Sequence, residues 1–168
     1  GGAVTIVSPT GSAPQSVPSD KEKLKQLPVL VVDDDPATRE AVAELLTALG
    51  AEVKTADSAM AAMTIIAEFK PKILLCDLAM PQEDGFAFIS RLRALGRDRG
   101  GNIPALALTA LAGDEDKRRA LAAGFQMLMT KPFVTEGLIA AVVELAELAE
   151  RREARQPGPR SAERTPAP

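Results

Sequence analysis

The sequence predicts an α/β protein: a doubly wound, five-stranded parallel sheet in the order 2-1-3-4-5, with helices on both faces. Three observations lead there. Strand-like apolar runs and stretches of helical period alternate five times, the pattern of successive βα units. One run, Ile73-Leu74-Leu75-Cys76, is short and continuously apolar between Pro71 and the Pro81 and Gly85 turn signals, as in a strand buried on both faces. Finally, four runs end in functional groups. Val29-Leu30-Val31-Val32 leads into Asp33-Asp34-Asp35, and the Ile73 run into Asp77. Ala105-Leu106-Ala107-Leu108 leads into Thr109, and Gln126 to Thr130 into Lys131-Pro132. Open α/β sheets bind ligands at the carboxyl ends of their strands, next to the point where strand order reverses. The first and third predicted strands flank that point in this order.

Taken in order, Gly1 to Asp20 is rich in Ser, Pro and Gly and carries a single charge, Asp20. Such a composition buries no core and reads as linker, apart from a small β-like run, Ala3-Val4-Thr5-Ile6-Val7. Residues 1–27 are assigned to this linker, 28–150 to one folded domain and 151–168 to a helix end and a disordered tail. After the first strand, Asp35 caps a helix with Pro36 at its first position, and Ala41, Val42, Leu45, Leu46 and Leu49 recur at helical spacing before Gly50. Glu52 to Ala56 alternates like an edge strand, which places it outside the chemical centre. Asp57 or Ser58 opens a helix from Ala59 to Phe69. Gly85 to Leu95 is a third helix, with Phe86, Ile89 and Leu92 inward and Arg91 and Arg93 outward. Asp114 to Ala123 is a fourth, ended by Gly124. Thr135 to Arg155 is the last, with Leu138, Val142, Leu145 and Ala149 on one face.

Bulk properties narrow the class. The chain has 168 residues, 46% hydrophobic and 26% charged, which suits one globular domain with tails. A net charge of -3 argues against a nucleic-acid partner. A single cysteine excludes an intrachain disulfide and fits a reducing, cytoplasmic setting. No apolar run approaches the roughly 20 residues that span a bilayer, so no membrane contact is expected. With no histidine in the chain, an imidazole base, an imidazole metal ligand and an internal phosphohistidine are all excluded.

Asp33, Asp34 and Asp77 should converge at one sheet edge, where like charges raise one another's pKa values. A hard divalent cation relieves that repulsion, and Mg2+ suits a few carboxylates, a carbonyl and waters. Lys131 adds a fixed positive charge and Thr109 a hydroxyl donor. Together these groups describe a cradle for a transferring phosphoryl group. Asp77, standing apart from the acidic cluster, is the natural nucleophile. Cys76 has no neighbour to lower its pKa and reads as core.

Five motifs in order, Val31-Val32-Asp33-Asp34-Asp35-Pro36, Asp77-Leu78-Ala79-Met80-Pro81, Asp84-Gly85, Leu108-Thr109-Ala110 and Lys131-Pro132-Phe133, resemble a response-regulator receiver domain of flavodoxin-like fold over about Pro28 to Glu150. The resemblance implies that Asp77 accepts a phosphoryl group from a phosphohistidine. It implies that Asp34, Asp77 and the Ala79 carbonyl hold Mg2+, with Asp33 acting largely through water. Lys131 would contact the phosphoryl oxygens, Thr109 would move towards them, and Lys131-Pro132 would be a cis peptide. A receiver of this kind promotes its own phosphorylation and dephosphorylation but is not a turnover enzyme. Two departures stand out: Leu128 occupies a position that is commonly aromatic, and Ala79 and Leu111 are apolar where polar side chains often orient hydrolytic water.

Gly2 to Pro9 resembles the final strand of a histidine-kinase ATP-binding domain, although a linker with some β propensity accounts for the same residues. The start at Gly-Gly rather than Met, the linker, the receiver and the short tail suggest the C-terminal receiver of a hybrid sensor histidine kinase. Its partners would be a histidine kinase in cis or in trans and a histidine phosphotransfer protein. Alternatives are a stand-alone response regulator without an output domain, or a phosphatase of the haloacid-dehalogenase type using Asp33 and Asp35. The phosphatase reading leaves Asp77 without a role.

Overall fold

In the computed structural model of the protein, residues 5–7, 22–111 and 113–155 are described. The Ser/Pro-rich stretch and the Arg/Pro-rich tail expected to be linker and disordered lie almost wholly outside these residues. The strands are β1 (Thr5–Val7), β2 (Pro28–Val32), β3 (Glu52–Ala56), β4 (Ile73–Cys76), β5 (Ala105–Thr109) and β6 (Met127–Thr130). The longer helices are α1 (Pro36–Ala48), α2 (Ala59–Phe69), α3 (Gly85–Arg93), α4 (Asp114–Ala123) and α5 (Thr135–Arg155).

Every pairing is parallel, and the sheet order is β1-β6-β5-β4-β2-β3. Strands β2 to β6 are the five expected ones, in the expected 2-1-3-4-5 order. The addition is β1, which pairs with the outer side of β6 in the register Thr5 to Met127, Ile6 to Leu128 and Val7 to Met129. Part of the β-like run assigned to linker is therefore a sixth strand.

Alternation along each strand sorts side chains between two cores. Val29, Val31, Ile73, Leu75, Leu106, Leu108, Met127 and Met129 face α1 and α5, packing on Val42, Leu46, Leu138, Val142 and Leu145. Leu30, Val32, Leu74, Cys76, Ala105, Ala107 and Leu128 face α2, α3 and α4, packing on Ala62, Ile66, Phe88, Ile89, Leu92 and Ala120. Because both faces are covered, β4 is buried at all four positions, which is why its sequence reads as an unbroken apolar run. Strand β3, largely exposed apart from the buried Ala56, forms the opposite edge of the sheet.

Local chemistry sets the helix starts. Asp35 accepts from the Ala37 amide with Pro36 at the first position, Ser58 accepts from Ala61, and Asp84 accepts from Ala87. Packing shifts two sequence-based boundaries. Leu24 and Leu27 are buried in the α1/α5 core, so the packed body starts ahead of Pro28. Helix α3 ends at Arg93, two residues earlier than expected.

The outward placement expected of Arg93 is corrected by the structure. Its guanidinium turns inward and donates to the carbonyls of Gly124 and Gly101 and to the Gln126 side chain. Three acceptors compensate a burial that pulls its pKa down to about 10. Helical period alone does not reveal such acceptors, because they come from distant loops.

Candidate functional site

The carboxyl ends of β2, β4, β5 and β6 meet where the chain places its polar groups. Asp33 follows β2 and Asp77 follows β4, and both are buried, at 2% and 6% exposure. Asp34, between Asp33 and the helix cap Asp35, is exposed. One carboxylate oxygen from each of Asp33, Asp34 and Asp77 lies within 4.8 Å of the others. Lys131 enters from the end of β6, its Nζ 2.8 Å from Asp33 Oδ2 and 3.5 Å from Asp77 Oδ2. The expected convergence of three acids and one lysine is present.

Backbone bonds position these groups. The Asp33 amide donates to the Ala56 carbonyl and the Asp77 amide to the Val32 carbonyl, tying the acidic ends of adjacent strands together. The Lys131 amide donates to the Thr109 carbonyl at 2.8 Å, so the lysine and the threonine share one strand-end contact. Thr109 is fully buried, and its Oγ1 accepts the Leu111 amide at 3.1 Å. The Ala79 amide donates to Asp77 Oδ1 at 3.2 Å, folding the loop after β4 back onto the carboxylate. The Lys131-Pro132 peptide is cis, as expected.

Gly85 shows why the Asp84-Gly85 pair ends that loop. A Cβ there would lie 2.3 Å from the Asp77 carbonyl oxygen and 2.8 Å from Leu78 Cα, so only glycine lets α3 start against the back of the site. Its amide donates to the Leu78 carbonyl at 2.8 Å.

Burial raises the Asp77 pKa; Lys131 opposes this, while the Asp33 and Asp34 charges reinforce it. Burial by itself would lower Lys131, but its hydrogen bond to Asp33 and the charges of Asp77 and Asp33 outweigh that, and its pKa is raised. The lysine therefore stays cationic inside an acidic pocket. Cys76 is pushed far up by burial, remains a thiol and donates to the Asp77 carbonyl. It is core, as the sequence suggests.

The donor set, all carboxylate oxygens at close spacing, fits a hard divalent cation and not a soft or redox metal. Asp35 stands outside it, spending its carboxylate on the Ala37 amide and the Thr38 hydroxyl. That is a helix cap, and it removes the acid/base partner a haloacid-dehalogenase-type reading assigns to Asp35. Arg39 is the neighbour that sequence reasoning missed. From the first turns of α1 its guanidinium returns to the Asp33 carbonyl at 2.7 Å. Nothing in its spacing marks it apart from other solvated helix arginines.

Fold and site define a doubly wound α/β domain with an acidic pocket closed by a lysine. The chain belongs to the response regulator receiver domain family, which matches residues 29–143. It is 44% identical over 111 residues to an uncharacterised 14.6 kDa protein of Leptolyngbya boryana, covering 66% of this chain and 83% of that one. It is 34% identical to the sensor histidine kinase RcsC of Salmonella typhi, over 71% of this chain but only 12% of the kinase. With the transcriptional regulator RpaA of Synechocystis it shares 33% identity, over 73% of this chain and half of the regulator. The chain thus spans a small part to half of these two larger relatives. Among solved structures, the chemotaxis protein CheY4 of Vibrio cholerae matches with a TM-score of 0.67 at 28% identity, over 71% of this chain and 98% of that one. Receiver domains take phosphoryl groups from histidine kinases, and the family includes both stand-alone regulators and segments of kinases.

Proposed function

We propose that this domain accepts a phosphoryl group from a phosphohistidine onto Asp77, in a Mg2+-dependent step of a phosphorelay. The observation that carries the reading is Asp77 itself, buried at a strand end with Lys131 at 3.5 Å and two further carboxylates beside it. An Asp77 oxygen attacks phosphorus, the P–N bond breaks, and the imidazole leaves as the aspartyl phosphate forms. Asp33, Asp34, Asp77 and the Ala79 carbonyl are the groups that would hold Mg2+. A cation held there would supply neutralisation of the charge developing on the phosphoryl oxygens. Lys131, kept cationic by its acidic neighbours, moves its contact from Asp33 to a phosphoryl oxygen. Thr109 supplies a hydroxyl to another. The domain is a stoichiometric acceptor, not a turnover enzyme.

The parent protein is read as a hybrid sensor histidine kinase with the donor in cis or in trans, and a histidine phosphotransfer protein as onward acceptor. Similarity to a segment of RcsC supports this. The second reading is a stand-alone response regulator without an output domain, and similarity to the 14.6 kDa Leptolyngbya boryana protein, of which this chain covers 83%, supports it. Among the described residues no helix is long and apolar enough to cross a membrane. A cytoplasmic site of action remains part of the proposal.

The test is incubation with a small phosphodonor and Mg2+. One hydroxylamine-sensitive phosphoryl is expected per chain, absent in Asp77→Asn while the fold persists. Undiminished labelling of that variant refutes the assignment.

A further inference from the structure

We propose that Arg39 is a positioning residue for the metal-binding loop, acting through the Asp33–Asp34 peptide; this rests on the Mg2+ site described above. The acidic loop leaves β2 and enters α1 within three residues, each of them an aspartate. Asp33 is held at every polar group. Its amide donates to Ala56, its Oδ1 accepts the Asp35 amide at 2.9 Å, and its Oδ2 accepts Lys131 at 2.8 Å. Its carbonyl accepts the Arg39 guanidinium at 2.7 Å.

Asp34 differs. It is exposed, and among the described residues no hydrogen bond or ion pair to its side chain is present. Its direction is set by the backbone on either side. On the amino-terminal side that backbone is the peptide whose oxygen Arg39 grips. A charge-assisted bond to a half-buried carbonyl is among the stronger ways to fix a peptide plane. Arg39 can do this because it lies one helical turn beyond the cap Asp35, whose carbonyl accepts the Arg39 amide at 3.0 Å. The cap, the helix and the guanidinium form one rigid bracket around the loop.

Positioning and simple electrostatics predict opposite signs. A guanidinium beside a cation site repels the cation, so its removal would tighten Mg2+ binding if charge alone mattered. If Arg39 orients Asp34, its removal weakens binding despite the relieved repulsion. Residues that orient metal ligands are commonly worth about 10- to 100-fold in affinity.

Mg2+ is titrated into the full chain and into Arg39→Ala, Arg39→Lys and Arg39→Gln, by calorimetry and by melting temperature, with no phosphodonor present. The expected result is a half-saturating Mg2+ concentration raised about tenfold in Arg39→Ala, at the lower end for residues that orient a ligand. Arg39→Gln keeps a donor without the charge and should recover part of that loss. Tighter binding by Arg39→Ala overturns the proposal in favour of charge. A lower melting temperature with unchanged half-saturation overturns it too, leaving Arg39 a support of the fold only. If Arg39→Ala does not fold, Arg39→Lys and Arg39→Gln decide by the same comparison. No Mg2+ response in the wild type means that the metal reading has failed, and this inference with it. Exchange of the Asp35 amide in metal-free protein still reports separately whether Arg39 orders the loop.

Discussion

Asp77 carries the clearest consequence at the scale of single residues. Its folded-state pKa is raised, chiefly by burial, so the native state binds its proton more tightly than the unfolded chain does. The contribution is fully present below the ordinary carboxylate pKa and is lost as pH rises towards the raised value. In metal-free protein, Asp77→Asn should therefore stabilise the fold at neutral pH. That gain should vanish below about pH 4, where Asp77 is protonated in both states. Paired melting curves in chelator across pH 3 to 8 measure it, and a gain that persists at low pH contradicts the burial argument. Lys131 is the counterpart. Lys131→Ala leaves Asp33 and Asp77 buried without their cation, a loss of about 3 kcal/mol, at the lower end for a broken buried pair. Mg2+ should restore part of this stability, and a variant as stable as wild type in chelator would contradict the arrangement.

Loops at the ends of elements bear on how long the proposed phosphorylated state would last. Hydrolysis of an aspartyl phosphate needs water held in line with the breaking bond, and such positioning can be worth orders of magnitude in rate. Ala79, after β4, is exposed and has no polar side chain, and Leu111, after β5, is partly buried and apolar. Slow self-dephosphorylation is the expected result, suited to storing or passing on a signal. Ala79→Asn with Leu111→Glu should hasten the decay of purified phosphoprotein, and equal decay rates would remove these two positions from the explanation. The same strand ends bear on conformational switching. Leu128, at a position commonly aromatic in receivers, is aliphatic and fully buried in β6 between β5 and β1. A muted switch is expected of that element.

For the molecule as a whole, the proposed metal site would link Mg2+ binding to folding, since a ligand that binds only the native state stabilises it by mass action. At ten times the dissociation constant the gain is about 1.4 kcal/mol. In a domain of this size that is a rise of about 4 °C in melting temperature. Asp34→Ala should abolish the rise. A wild-type melting temperature indifferent to millimolar Mg2+ would show that the site is drawn wrongly, since weakly held hard cations act at about that concentration.

Strand periodicity, turn residues and the polar group closing each apolar run were legible in the sequence, because backbone geometry ties them to local spacing. They sufficed for the five receiver strands, the helix cap at Asp35, and the meeting of Asp33, Asp34, Asp77 and Lys131, and they narrowed the second helix start to Asp57 or Ser58, of which Ser58 is the cap. Other features depended on groups far apart in the chain. Arg93 reads as a surface residue until Gly101, Gly124 and Gln126 close around it. Leu24 and Leu27 read as the end of the linker until α1 and α5 leave room for them in the core. Thr5 to Val7 became a strand only because β6 presented an open edge, and an unpaired edge accepts whatever extended segment can reach it. Arg39 looks like any helix arginine until the turn of the acidic loop brings the Asp33 carbonyl within 2.7 Å. Local spacing determines which faces and ends are polar, whereas partners contributed by distant segments exist only once the chain has packed.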